Sequence, residues 1–260
     1  MEQTKQVSVV CGAGRGMGLV IAEALARRGD RLALIDVLYK DSAIRARAAE
    51  TFGKEVLLEA VDISQSKPVA DFMGKAANRF GRIDCLVNAV GVNRPAPALQ
   101  VTDEDWDFTL NVNLKGAFLL SREAAKVMVK QKYGRIVHIG STSSIVSCPS
   151  AVPYTASKHG MVGLVRALAS DLAQYGIMIN LVCPGITDTE MLDKVICQRA
   201  RQMGLTAEQV REDMKRKTPD GRLGKCSDVA AAVLFLVARE TEHINGQILT
   251  VDGGRSLNLV

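Results

Sequence analysis

Tyr154 and Lys158 stand four residues apart in the stretch "YTASKHG" (154–160), with only small residues between them. On a helix that spacing stacks the two side chains on one face. The pair is either an ordinary surface contact or a phenol held beside a cation so that it can give up its proton. A second stretch with chemical capacity is "CGAGRGMG" (11–18), with glycines at 12, 14, 16 and 18 and with Arg15 and Met17 among them. It follows an apolar run and opens a helical pattern. Glycine there either supplies the positive φ of a tight turn or lets the backbone approach a pyrophosphate, for which a helix N-terminus offers free N–H groups. Asp36 ends the next apolar run, eighteen residues beyond Gly18. A carboxylate at that point accepts both hydroxyls of an adenosine ribose and repels a 2′-phosphate. Arg15 pulls the other way, because a cation in the turn favours a phosphorylated ribose. Asp36 decides, since its repulsion and desolvation penalty act at ribose distance while an arginine can swing into water. The expected cofactor is therefore NAD. Asp62, with Ile63 beside it in "VDIS", reads either as a contact to the adenine edge or as the cap of a following helix.

These residues need a scaffold, and the rest of the chain supplies one. Apolar runs at 7–11, 31–36, 55–61, 83–87, 135–140, 177–183 and 247–251 read as strands, nearly continuous in hydrophobicity as in a parallel sheet covered on both faces. Amphipathic patterns at about 17–28, 66–80, 105–130, 153–174 and 227–238 read as helices. Such alternation predicts an α/β fold: a single doubly wound sheet of about seven strands with right-handed crossovers. A long charged insertion, 186–224, interrupts the rhythm and is placed as a substrate lid at the carboxyl edge of the sheet.

Composition narrows the function classes. The 260 residues are 47% apolar and 23% charged with a net charge of +5, ordinary for a globular domain. The basic residues are scattered among acids, which argues against a nucleic-acid partner. No apolar stretch approaches the roughly 18 residues of a membrane span, and the first strand begins at Val7, which leaves no room for a signal peptide. The six cysteines (Cys11, Cys85, Cys148, Cys183, Cys197, Cys226) show no CxxC spacing and read as reduced core or near-core thiols of a cytoplasmic protein. Three scattered histidines argue against a metal site.

Taken in order, the Gly-rich turn, "NAVG" (88–91), "NVNLKG" (111–116), "GS" (140–141), "YTASK" (154–158) and "PGITDT" (184–189) resemble the short-chain dehydrogenase/reductase family, from Val7 to "VDGG" (251–254). The resemblance implies a Rossmann-type fold, a nicotinamide cofactor and a catalytic tetrad, which falls here on Asn113, Ser141, Tyr154 and Lys158. A free tyrosine titrates near pH ~10, too high for an efficient base at neutrality. Lys158 and the positive nicotinamide ring are expected to lower that value, with Lys158 also holding the nicotinamide ribose. Ser141 is expected to bond the substrate oxygen, and Asn113 to hold a water linking the lysine to solvent. Asn88, Ala89 and Gly91 join the cofactor set. Pro184, Gly185, the main chain at Ile186 and Thr189 are expected to wall and bond the nicotinamide. Two departures stand out: Cys11 replaces the usual Thr and Ala89 replaces a second Asn. Both alter local hydrogen bonding and leave the cofactor site in place.

The leading expectation is an NAD-dependent dehydrogenase of secondary alcohols or the matching ketones. The alternatives are a 3-oxoacyl-carrier-protein reductase, against which Asp36 argues, and a non-catalytic scaffold, against which the complete tetrad argues. Substrate walls are expected from 142–153, from 92–98 and from an apolar lid stripe, Met191, Leu192, Val195 and Ile196, facing the cleft. Arg94 is either a carboxylate clamp or a solvent-facing loop residue. Ala117, Leu120, Ala124, Met161, Leu164 and Leu168, with the tail "SLNLV", are assigned to the interfaces of a homotetramer or homodimer, as in similar proteins.

Overall fold

In a computed structural model, which describes residues 5–258, the seven apolar runs pair as parallel strands: β1 (Val7–Cys11), β2 (Arg31–Ile35), β3 (Leu57–Glu59), β4 (Cys85–Asn88), β5 (Gly134–Ile139), β6 (Ile177–Pro184) and β7 (Ile248–Val251). Between them run α1 (Gly16–Arg28), α2 (Ser42–Phe52), α3 (Ser66–Phe80), α4 (Asp103–Leu110), α5 (Gly116–Gln131), α6 (Val152–Leu172), α7 (Glu190–Met203), α8 (Ala207–Arg216) and α9 (Cys226–Leu236). The order across the sheet is β3-β2-β1-β4-β5-β6-β7. Strand order reverses between β1 and β4, which opens a crevice beyond their carboxyl ends.

Side chains alternate between two cores, as the two-residue period of a strand requires. Val9 and Cys11 of β1 pack with Phe72, Leu120 and Met161 from α3, α5 and α6 on one face. Val10 packs with Ile21, Ala48 and Val233 from α1, α2 and α9 on the other. Every residue of β1, β4 and β5 is buried, because helices cover both faces of the sheet, and the runs therefore read as solidly apolar.

Four sequence expectations are corrected. The single helix expected over 105–130 is broken into α4 and α5 by a π-helical turn, Asn111–Lys115, which carries Asn113. Helix α2 was not expected; Asp41 caps it by accepting from Ala43 N at 2.8 Å and Ile44 N at 3.3 Å, and only its Ala48 is buried. Two residues of the lid stripe do not face the cleft. Leu192 and Ile196 pack against Val210, Met214 and Leu223 in a small core of their own between α7 and α8, while Val195 is half-buried and the Met191 side chain lies outside the described residues. Finally, Ala117, Leu120, Ala124 and Met161 are core residues, fully buried, and Leu164 and Leu168 pack against that core. The tail residues Leu259 and Val260 lie outside the described residues. Of the thiols, Cys11, Cys85 and Cys183 are buried, but Cys197 is exposed on α7.

Candidate active site

The Gly-rich turn joins β1 to α1. Gly12 adopts φ +81°, a region that side chains disfavour. A Cβ on Gly18 would stand 2.0 Å from the Gly12 carbonyl oxygen, so only glycine lets α1 sit directly on the turn. The first turn of α1 carries no acidic residue, and its N–H groups are free for an anion. The Asp36 carboxylate, at the end of β2, accepts from Gly14 N and from Leu38 N, each at 2.9 Å. It pins the turn, and each oxygen retains acceptor capacity. Burial, reinforced by the Asp36 charge, pushes the Cys11 thiol well above its usual range, so Cys11 behaves as a small apolar residue.

These elements border a cleft of about 780 Å³. Gly12, Arg15, Gly16, Met17 and Gly18 line it at one wall, Asp36, Asp62 and Ile63 at another, and Ala89, Gly91 and Thr189 close it. Asp62 Oδ1 accepts from Ser64 N (2.9 Å) and Ser64 Oγ (2.8 Å), so it is a turn cap that also faces the cleft. Sequence reasoning missed Leu38, Phe108, Lys115 and Glu190, which line the same space. Glu190, the first residue of α7, pairs across the rim with Arg15 at 3.3 Å. No spacing in the sequence marks that contact, since the partners are 175 residues apart.

Beside the cleft, α6 places Tyr154 and Lys158. Lys158 is only 2% exposed; its Nζ donates to the Ile139 carbonyl at 2.9 Å and lies 5.6 Å from the centre of the Tyr154 ring. Burial pushes this amine down to about 8. Within the protein itself, burial pushes the Tyr154 phenol up from its ordinary value, and the nearby Ser141 hydroxyl only partly opposes this. Ser141, just past β5, is held by a reciprocal cap in which its Oγ accepts from Ser143 N (3.1 Å) and Ser144 Oγ accepts from Ser141 N (3.3 Å). Asn113 is fully buried. Its Oδ1 accepts from Val92 N (2.8 Å), and its Nδ2 donates to Val92 O (2.9 Å) and Ser157 Oγ (3.0 Å). The amide therefore clamps the loop after β4, and one Oδ1 lone pair remains for a further donor. Gly91 of the cleft lining lies against Lys158, for a Cβ there would stand 3.4 Å from Lys158 Nζ, an ordinary contact.

The remaining residues divide. Gly185 N donates to Val251 O at 3.0 Å, tying the end of β6, including Pro184, to β7. The Ile186 side chain turns into the α7–α8 core and its carbonyl accepts from Gly224 N at 2.9 Å. Thr189 caps α7 by accepting from Leu192 N (3.3 Å). The two predicted substrate walls meet, for Ala96 N donates to Ser150 O at 2.9 Å. Arg94 is an exposed loop residue, as one of its two expected readings had it, and it pairs with Asp105 at 2.7 Å and stacks on Phe108 with 3.9 Å to the ring centre. No helix among the described residues is long and apolar enough to cross a membrane.

Comparison with known proteins agrees with this geometry. Residues 12–256 match the family model described as enoyl-(acyl carrier protein) reductase. The 3-oxoacyl-[acyl-carrier-protein] reductase FabG of Thermotoga maritima is 31% identical over 96% of this chain and 97% of its own. Gluconate 5-dehydrogenase of Gluconobacter oxydans is 32% identical over 97% and 95%. Among solved structures, a variant of actinorhodin polyketide ketoreductase with NADPH superposes with a TM-score of 0.91 at 30% identity, covering 97% of each chain. With a seven-stranded sheet of this order, a glycine turn at its switch point and these relatives along almost its whole length, the chain belongs to the short-chain dehydrogenase/reductase family of nicotinamide-dependent oxidoreductases.

Proposed function

We propose that the chain is an NAD(H)-dependent oxidoreductase that interconverts neutral secondary alcohols and ketones, with Tyr154 as the acid–base group. The observation that carries the reading is that the buried Lys158 amine lies 5.6 Å from the centre of the Tyr154 ring and immediately behind Gly91 of the cleft lining, with Ser141 near enough to influence the phenol. The nicotinamide, when bound, accepts or returns the hydride and brings positive charge to the site. Tyr154 takes the proton of the alcohol hydroxyl, or gives it to the carbonyl oxygen in reduction. Ser141 orients that oxygen. The Lys158 ammonium favours the phenolate and would hold the nicotinamide ribose, and Asn113 clamps the Val92 loop, with acceptor capacity for a water leading to solvent.

The residues suit such a cofactor. The turn of Gly12, Gly14, Arg15, Gly16, Met17 and Gly18 would cradle the pyrophosphate; Asp36 would take the adenosine ribose, and Asp62 and Ile63 the adenine. Asn88, Ala89 and Gly91 would back the cofactor. Pro184, Gly185, the Ile186 amide N–H and Thr189 would border the nicotinamide. NAD(H) is favoured because Asp36 is locked by two backbone donors at 2.9 Å, whereas Arg15 already has an anionic partner in Glu190. A neutral substrate is favoured because Arg94 is committed to Asp105 and Phe108. Segment 186–224 serves as the lid, reaching the rim through Glu190, and the setting proposed is cytoplasmic.

A 3-oxoacyl-carrier-protein reductase is the second reading, supported by the similarity to FabG. A panel of secondary alcohols, matched hydroxy acids, simple ketones and 3-oxoacyl thioesters, followed by nicotinamide absorbance with both cofactors, separates the two. The first reading expects the neutral alcohols and ketones to be turned over best. Preference for the thioesters with the phosphorylated cofactor would replace it with the second, and no turnover at all would leave a scaffold.

Assembly into a homotetramer, or at least a homodimer, is part of the proposal. Apolar side chains left at the surface include Trp106 and Phe118 on α4 and α5, both 38% exposed, and Phe235 on α9, 53% exposed, enough to seed twofold contacts. Light scattering at micromolar concentration is expected to give a mass of two or four chains. A monomer would contradict it.

A further inference from the structure

His138 stands in the middle of β5, fully buried, and takes no part in the chemistry above. Its Nδ1 lies 3.3 Å from Asn88 Nδ2 on β4, and its Nε2 lies 2.8 Å from Ser121 Oγ on α5. The direction of every bond follows from the outer partners. Asn88 Oδ1 accepts from Val90 N at 3.1 Å, so the amide presents its NH₂ to the imidazole. Ser121 spends its proton on the Ala117 carbonyl at 2.8 Å, so its oxygen accepts from the imidazole. Only a neutral ring protonated at Nε2 satisfies both neighbours. Burial, aided by the Lys158 charge, pushes His138 down to about 3, which keeps it in that neutral form.

The chain of bonds ends on the cofactor cleft. Val90 lines it, and a Cβ on Gly12 would stand 3.1 Å from both Ala89 C and Val90 N. The 88–92 loop therefore lies directly against the glycine turn. Asn113 fixes its far end at Val92; its near end depends on Asn88. We propose that His138 is a positioning residue for the cofactor: by holding the Asn88 amide in one orientation, it fixes the Ala89–Val90 backbone against the phosphate turn.

This inference rests on the nicotinamide reading of the cleft, and its test separates the two. Dissociation constants for NADH and NADPH are measured by fluorescence titration on the full chain, with melting temperature and kcat at saturating cofactor, for the unaltered protein, His138→Leu, His138→Gln and Ser121→Ala. His138→Leu should weaken binding of the preferred cofactor about tenfold, a shift of ~1.4 kcal/mol, with kcat at saturation within about threefold, since loop placement acts on binding before it acts on proton transfer. His138→Gln, which can present one donor and one acceptor, should recover part of the loss. Ser121→Ala leaves the ring without its acceptor and should cost a smaller factor, about threefold, in the same constant. If His138→Leu does not fold, the Gln and Ala variants decide. Unchanged affinity in folded variants, or a lowered melting temperature alone, would overturn the inference. Failure of the unaltered chain to bind either cofactor would overturn the reading of the cleft and the inference with it.

Discussion

Tyr154→Phe is expected to bind cofactor normally and to lose about 10²–10⁴-fold in kcat, the usual contribution of one positioned acid–base group. The substitution removes one oxygen and leaves the ring and its packing in place. Burial pushes the phenol up, so at neutral pH it is protonated and ready to donate, as ketone reduction requires. Alcohol oxidation needs the phenolate. Its kcat/KM should therefore rise with pH through the alkaline range, and that limb should vanish in the variant. Transient and steady-state kinetics in both directions check this. Retention of more than about a tenth of kcat would mean that another group moves the proton.

Lys158→Met is expected to abolish turnover and yet to stabilise the fold. The amine is 2% exposed and lies at about 8 rather than 10.5. A base whose folded pKa is depressed binds its proton less readily in the folded chain. Stability therefore rises as pH climbs from about 8 to 10.5 and is reduced by a constant amount below that window. At about 1.4 kcal/mol per unit, the reduction at pH 7 is about 3 kcal/mol. Methionine removes the buried charge at similar volume and forfeits the bond to the Ile139 carbonyl, worth about 1 kcal/mol. A net gain of about 2 kcal/mol at pH 7, shrinking to nothing or reversing above pH ~10, should appear in denaturant unfolding. A variant less stable than the parent at pH 7 would show that the ammonium is better solvated than its surroundings indicate. So costly a group is kept because the site needs a cation where the fold would prefer a methyl.

Much of this was legible in the residues because it depends on local pattern. Solidly apolar runs announced strands buried on both faces, and β1 begins and ends where the pattern placed it. Tyr154 and Lys158 share a helix, so their spacing alone fixed their geometry. What escaped was tertiary. Helix α2 buries only Ala48, so it carries almost no amphipathic signal; its existence follows from the need to cross from β2 to β3. Leu192 and Ile196 of the lid stripe were correctly apolar and wrongly aimed, because periodicity gives a face and not the element that covers it, and α8 covers these two. Lys158 and the positive nicotinamide ring together were expected to lower the Tyr154 pKa; the protein's own surroundings push it up, and desolvation is the largest of their influences. The π-helical turn at Asn113 and the Arg15–Glu190 pair likewise follow from contacts remote in the chain.

The central claim, a dehydrogenase built around Tyr154 that uses NAD(H), is tested most directly by kcat/KM for NADH and NADPH measured side by side on one ketone. The account predicts a preference for NADH of at least about tenfold, ~1.4 kcal/mol, narrowed in Asp36→Ala, because the Asp36 carboxylate is held in place by Gly14 N and Leu38 N. Equal efficiency, or a preference for NADPH, would contradict it and give the decision to Arg15.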